Sequence, residues 1–264
     1  MYLIDYHTHS RLSPDADHPL TELAGAAVRA GLSELCVTDH YDRLTLDGRW
    51  EEPYDWAPAL EQYRQAAGQF AGRLTLRLGI EYGGAPFDPE YARAMLARPE
   101  VDFVIGSLHN RSPKAGGADF YCGPYDTPEQ CYAALDDYFA SMERLVELPD
   151  CYDVVGHIIY PLRYMPETIT LDRYWGRIDA ILRRVVETGR GIELNTYCGK
   201  TIAPWRGVLE RYRAHGGERI TVGSDAHAPE RVGLGVKEAY ALLAGCGFRY
   251  LSVYEKHTPR QIKL

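Results

Sequence analysis

Short, mostly apolar runs alternate along the chain with longer stretches in which apolar residues recur every three or four positions. The runs at residues 3–7, 34–38, 74–81, 103–107, 153–155, 191–195 and 220–223 predict buried strands, with a weaker eighth at 250–254. Helical signals lie between them. In TPEQ (127–130), Thr127 as N-cap, Pro128 at the first helical position and Gln130 two residues later form a capping box. Behind it Leu135, Tyr138, Phe139, Met142, Leu145 and Val146 mark one buried face. The segment from Asp172 repeats the pattern with Ile178, Ile181, Leu182, Val185 and Val186, then stops at Gly189. Strand followed by helix, about seven times over, predicts an α/β fold with a parallel barrel or doubly wound sheet.

No repeat, low-complexity tract or linker divides residues 1–264, so one domain is expected. Three long connections, 41–57, 110–126 and 158–171, all follow strands. In a parallel barrel such loops build the functional face.

The ionisable residues sharpen this picture. His7 and His9 end the first strand, Asp39 and His40 the second and Glu81 the third; His109 follows the fourth, His157 the fifth, and Asp225 with His227 the seventh. Side chains two apart on a strand share a face, so His7 and His9 can point into one site. Any of these histidines taken singly reads as a hydrogen-bonded structural residue. Six of the nine histidines beyond strand C-termini, together with carboxylates, instead predict a metal site at one rim. Closing a barrel brings HxH and DxH together.

Charge and cysteine content narrow the function. With 37 acidic against 29 basic residues the net charge is −8, which argues against a nucleic-acid or anionic-membrane surface. No apolar run has the length of a membrane span, and a strand at the amino terminus leaves no room for a signal peptide, so a cytoplasmic location is expected. The six cysteines form no CxxC pair and read as reduced thiols. No GxSxG elbow offers a serine nucleophile.

The ordered segments DYHTHS…SPD, VTDH, GIEY, GSLHN, VVGHI and VGSDAH resemble the metal motifs of the PHP (polymerase and histidinol phosphatase) superfamily along nearly the whole chain. GIELNTYCGK, GGERITVGSDAH and the closing PRQIKL are similar to its stand-alone histidinol-phosphatases, which cleave L-histidinol phosphate in histidine synthesis. The resemblance implies a distorted (β/α)7 barrel, TIM-barrel-like, with its active site at the C-terminal strand ends. It also implies three divalent transition-metal ions and a metal-dependent phosphoric monoester hydrolase. It assigns His7, His9, Glu81 and Asp225 to a first metal; Glu81, His109 and His157 to a second; and Asp15, His40 and His227 to a third. His18 is an alternative near Asp15, while His215 and His257 read as surface residues.

Imidazole and carboxylate donors without thiolate suit Zn, Fe or Mn. Such a cluster is expected to supply a metal-bridging hydroxide, and Asp15, His227 or a metal-bound water is expected to protonate the leaving group. Asp5 and Asp39 are expected to fix imidazole tautomers rather than bind metal. Arg163, Lys200 and Arg111 are candidate phosphate donors, each also readable as an ordinary surface cation. Tyr121, Tyr125, Tyr160 and Tyr164 could enclose a substrate ring or pack the loops. A nucleotide monophosphate, a non-catalytic metal-binding module and amidohydrolase chemistry are the competing readings.

Overall fold

The computed structural model describes all 264 residues. In chain order its elements are β1 (Ile4–Asp5), α1 (Leu20–Ala30), β2 (Glu34–Val37), β3 (His40–Asp42), α2 (Trp56–Phe70), β4 (Thr75–Gly83), α3 (Pro89–Leu96), β5 (Phe103–Ser107) and α4 (Pro128–Leu145). There follow β6 (Val154–Val155), α5 (Trp175–Glu187), β7 (Gly191–Asn195), α6 (Arg206–Ala214), β8 (Ile220–Gly223), α7 (Val236–Gly245), β9 (Tyr250–Glu255) and β10 (Thr258–Lys263). Strands β1 to β8 form one parallel sheet in the order β1-β2-β4-β5-β6-β7-β8, with β3 also on β4. β2 and β3 are one strand in function, because Val37 opposite Leu78 and His40 opposite Glu81 keep the same register.

β1 has only two paired residues on β2, yet it closes the barrel. Beyond it the chain turns to β8, where Tyr6 N–H donates to the Val222 carbonyl (2.9 Å), Asp225 N–H to that of His7 (2.8 Å) and His9 N–H to that of Ala226 (2.8 Å). The result is the barrel the sequence predicts, with His7 and His9 at its seam. Buried aliphatic strand residues such as Leu35, Leu78, Ile80, Ile105, Val155, Ile192 and Val222 supply the core and meet helices outside. The expected capping box is present: Thr127 accepts from Gln130 N–H and the Gln130 side chain accepts from Thr127 N–H.

The eighth predicted strand forms but lies outside the barrel. β9 pairs antiparallel with β10 as a hairpin whose two-residue turn, Lys256 and His257, has both residues at positive φ (50° and 60°). It sits under the N-terminal strand ends, where Tyr254 N–H donates to Tyr6 Oη (2.9 Å) and the Phe103 and Tyr254 rings meet at 4.9 Å. His257 is therefore no free surface residue; its Nδ1 holds the buried Asp153 at 2.8 Å. No helix is long and apolar enough to cross a membrane.

Candidate metal centre

At the opposite end of the barrel the strand termini bring together all nine predicted ligands. Glu81, from the middle strand of the group, is fully buried and divides them. Its Oε2 lies 3.0 Å from His7 Nε2, 3.6 Å from His9 Nε2 and 2.9 Å from His40 Nδ1. Its Oε1 lies 2.7 Å from His157 Nε2 and 3.2 Å from His109 Nε2. A carboxylate with its two oxygens turned to separate imidazole groups has the geometry of a bridge. Asp225 Oδ1 stands 3.3 Å from His9 Nε2, and Asp15 Oδ2 is 3.1 Å from His227 Nε2 and 3.9 Å from His40 Nε2. His9 is stacked between the rings of His40 (4.0 Å) and His227 (4.2 Å).

The electrostatics mark these donors as incomplete. Burial, and then the neighbouring His40 and His227, push His9 well below its ordinary value and leave a neutral imidazole. Burial alone would raise Glu81, but His7, His109 and His40 hold it well below the usual carboxylate range. Against the cost of burial, His7 and Arg163 likewise keep Asp225 ionised. Yet His9 Nε2, His40 Nδ1 and His227 Nε2, buried and each within 3.3 Å of a carboxylate oxygen, make no well-directed hydrogen bond to it. Buried polar nitrogens are seldom left so, because each costs about 1–3 kcal/mol. Such imidazole nitrogens facing ionised carboxylates fit divalent cations in chemistry and in spacing, and five overlapping triads here have donor atoms within 4.8 Å of one another.

The supporting acceptors differ from those expected. Asp5 accepts from Ser224 N–H (2.8 Å), Ser224 Oγ (2.5 Å) and Gly233 N–H (2.8 Å), so it pins the β8 loop and touches no imidazole. Asp39 accepts from Ser10 N–H (2.5 Å), Ser10 Oγ (2.8 Å) and Ser13 Oγ (3.1 Å). It reaches His9 only through Ser13, whose Oγ is 3.1 Å from His9 Nδ1. The direct acceptors are Glu193, 2.6 Å from His7 Nδ1, and Asp42, 2.8 Å from His109 Nδ1. Each holds the outer nitrogen and turns Nε2 inward. Glu193 had a signal in the sequence: an acid in the middle of an otherwise apolar strand, GIELN, has to find a buried partner.

The candidate cations separate. Arg163 is buried at the cluster with Nη1 2.9 Å from Asp225 Oδ2. Lys200 is exposed, its Nζ 4.8 Å from the Tyr197 ring, whose centroid also lies 4.1 Å from the Arg163 guanidinium. Arg111 points away into its own loop, donating to the Gly123 carbonyl at 2.7 Å. His18 and His215 lie outside the centre, bonded to Glu22 (2.7 Å) and Asp179 (3.2 Å). Tyr160 borders the centre, its ring 4.9 Å from His109 and 4.8 Å from His157; Tyr164 stacks edge-on against it and Tyr121 against Tyr164. Tyr125 packs the loop, its hydroxyl donating to the Phe120 carbonyl (2.5 Å).

The sequence model of the PHP domain matches residues 5–197, and the chain belongs to the PHP domain family. Over 266 residues it is 27% identical to a histidinol-phosphatase of Lactococcus lactis, with 96% of this chain and 95% of the relative covered. It is 30% identical over 273 residues to a protein of Deinococcus radiodurans named "Probable histidinol-phosphatase", covering 94% and 95%. A crystal structure of the Lactococcus lactis histidinol phosphate phosphatase, complexed with zinc, L-histidinol and phosphate, superposes with a TM-score of 0.82, 25% identity and 98% of each chain covered.

Proposed function

We propose that this protein is a metal-dependent phosphoric monoester hydrolase that converts L-histidinol phosphate to L-histidinol and phosphate, and that it holds three divalent transition-metal ions of the Zn, Fe or Mn type. The observation that carries this reading is the convergence at one barrel mouth of eight of the nine imidazole and carboxylate side chains in overlapping donor groups, three with buried nitrogens that make no well-directed hydrogen bond, and with Asp15 at the rim against His227. Its support is the likeness along the full chain to an enzyme crystallised with zinc, L-histidinol and phosphate.

On this reading His7, His9, Glu81 and Asp225 hold one ion, Glu81, His109 and His157 a second, and Asp15, His40 and His227 a third. Such ions activate water for attack on phosphorus and neutralise phosphoryl oxygens. The chain's own residues do the rest. Glu193, Asp42 and Ser13 orient imidazoles, while Tyr160 and Tyr164 wall the site. Arg163 and Lys200, 4.1 Å and 4.8 Å from the Tyr197 ring, would give the phosphate end a positive border. Asp15, in contact with His227 at 3.1 Å, or a water on the ions would supply the proton to the leaving alcohol.

The other end of the substrate is a cation, and the site offers it an acid. Asp119 is partly buried on the 110–126 loop and accepts only from Tyr121 N–H (2.7 Å) and Tyr160 Oη (3.4 Å), with no basic side chain on it. An unneutralised carboxylate beside tyrosine rings suits an ammonium or imidazolium group.

The test is phosphate release by metal-loaded protein from L-histidinol phosphate, AMP and p-nitrophenyl phosphate. A kcat/KM for histidinol phosphate at least about a hundredfold above the others supports the reading. Preference for AMP would overturn the substrate, and metal-bearing protein that hydrolyses no ester would overturn the activity.

A further inference from the structure

Asp225 presents two different oxygens. Oδ1 faces the histidines, 3.3 Å from His9 Nε2 and 3.7 Å from His7 Nε2. Oδ2 faces away and is filled from both sides, by Arg163 Nη1 at 2.9 Å and Asn195 Nδ2 at 3.2 Å. Asn195 is fully buried at the end of β7. Its amide orientation follows from its partners: Oδ1 accepts from Arg163 Nη2 (2.9 Å) and Tyr197 N–H (2.8 Å), so the NH2 group must turn to Asp225 Oδ2 and Glu193 Oε1, each at 3.2 Å. The side chain can sit only one way round.

Its backbone is equally fixed. The Asn195 carbonyl accepts from Trp205 Nε1 at 2.7 Å, and the next residues, Tyr197 and Cys198, take the left-handed conformation (φ 45° and 51°). Non-glycine residues adopt that region at a cost that surrounding bonds must offset. Here the turn lays the Tyr197 ring 4.1 Å from the Arg163 guanidinium and returns Tyr197 N–H to Asn195. Arg163 and Asn195 thus hold each other as well as Asp225.

We propose that Asn195 is a positioning residue: with Arg163 it occupies the outer oxygen of Asp225, so that this carboxylate binds its metal through Oδ1 alone. The same amide touches Glu193, which holds His7. One neutral side chain therefore sets the orientation of two residues, Asp225 and His7, that would hold one ion. This rests on the metal reading above, though not on the identity of the substrate.

The test measures zinc release from loaded protein to a chromophoric chelator, with no substrate present, beside steady-state kinetics and circular dichroism. Asn195→Ala is expected to release zinc about 10–100-fold faster, to lower kcat in the same range and to leave KM within about threefold. Asn195→Asp keeps the shape and the acceptor side but replaces the NH2 by a second acceptor; a loss similar to that of the alanine variant would assign the effect to the donated bonds. Arg163→Lys, which retains charge but loses the fork, should fall between and serves if the first variants do not fold. Wild-type release by folded Asn195→Ala overturns the proposal. So does a raised KM with release unchanged, which would make Asn195 a substrate contact. Failure to hydrolyse histidinol phosphate would leave the zinc measurement standing.

Discussion

The two ends of the barrel both bury acids, and they satisfy them in opposite ways. At the closed end, Glu34 takes Arg77 Nε (2.9 Å) and the Tyr6 hydroxyl (2.6 Å), Asp102 takes Lys256 Nζ (3.1 Å), and Asp153 takes both Arg190 (3.2 Å) and His257 (2.8 Å). Every one of these carboxylates has a cation supplied by the chain. At the open end Glu81 and Asp225 meet mostly imidazoles, and three rings there keep a buried nitrogen that makes no well-directed hydrogen bond. The same residue types therefore sit differently: His257 is completed by a hydrogen bond to Asp153, whereas His9 turns Nε2 toward carboxylates without making such a bond. A buried charge signals function when its local partners cannot complete it.

This contrast can be broken deliberately. The largest effect belongs to the open end: His9→Ala or Asp225→Ala should lower kcat at least about a thousandfold while circular dichroism shows a retained fold, and chelation should do the same reversibly. Near-normal turnover in metal-stripped protein would end the distinction. Next, Glu193→Gln and Asp42→Ala are each expected to weaken metal retention and activity about 10–100-fold, read by metal content against kcat. At the closed end Arg77→Ala strands Glu34 in the interior and should cost about 3–5 kcal/mol in urea unfolding, with kcat of the folded fraction unchanged. Smallest of all, Lys200→Ala should raise KM a few-fold without altering kcat, since an exposed cation contributes about 1 kcal/mol or less.

The pH response should divide the metal-free from the loaded protein. In the metal-free chain His7 and His109 are raised, burial notwithstanding, by Glu193 and Glu81 and by Asp42 and Glu81 respectively. Their contribution to stability is complete below the unfolded value of about 6.5 and is lost as pH rises through their higher folded values. His9 and His157 are lowered, chiefly by burial, so below about 6.5 the unfolded chain binds protons that the folded chain refuses. The melting temperature of the metal-free protein should peak near about pH 6.5 and fall at higher pH. Loaded protein should show the gap widening as pH rises, because metal binding displaces protons. Parallel profiles would contradict this.

Most of the barrel was legible in the sequence, and so was the clustering of these histidines and acids at one rim, because strand ends are where apolar runs give way to His and acid. The supports were harder to read. Asp39 adjoins His40 but faces the other way, as neighbouring strand residues do, and spends its oxygens on Ser10 and Ser13; Asp5, two residues before His7, is spent on Ser224 and Gly233 across the seam. Asp42 looked like loop because β3 is short and polar, and its register with β4 is visible only in three dimensions. The terminal hairpin lacked its usual sign: its turn is Lys-His where Asn-Gly is favoured, the positive φ angles being held by Asp102 and Asp153.

The seam between β1 and β8 also sets a schedule. His7 and His9 emerge first during synthesis, but the backbone bonds that aim them come from Val222, Asp225 and Ala226. A ribosome-bound chain thus carries its HxH pair for more than two hundred residues of elongation without the scaffold that shapes it. The donor cluster is accordingly completed late, its first and last walls arriving more than two hundred residues apart.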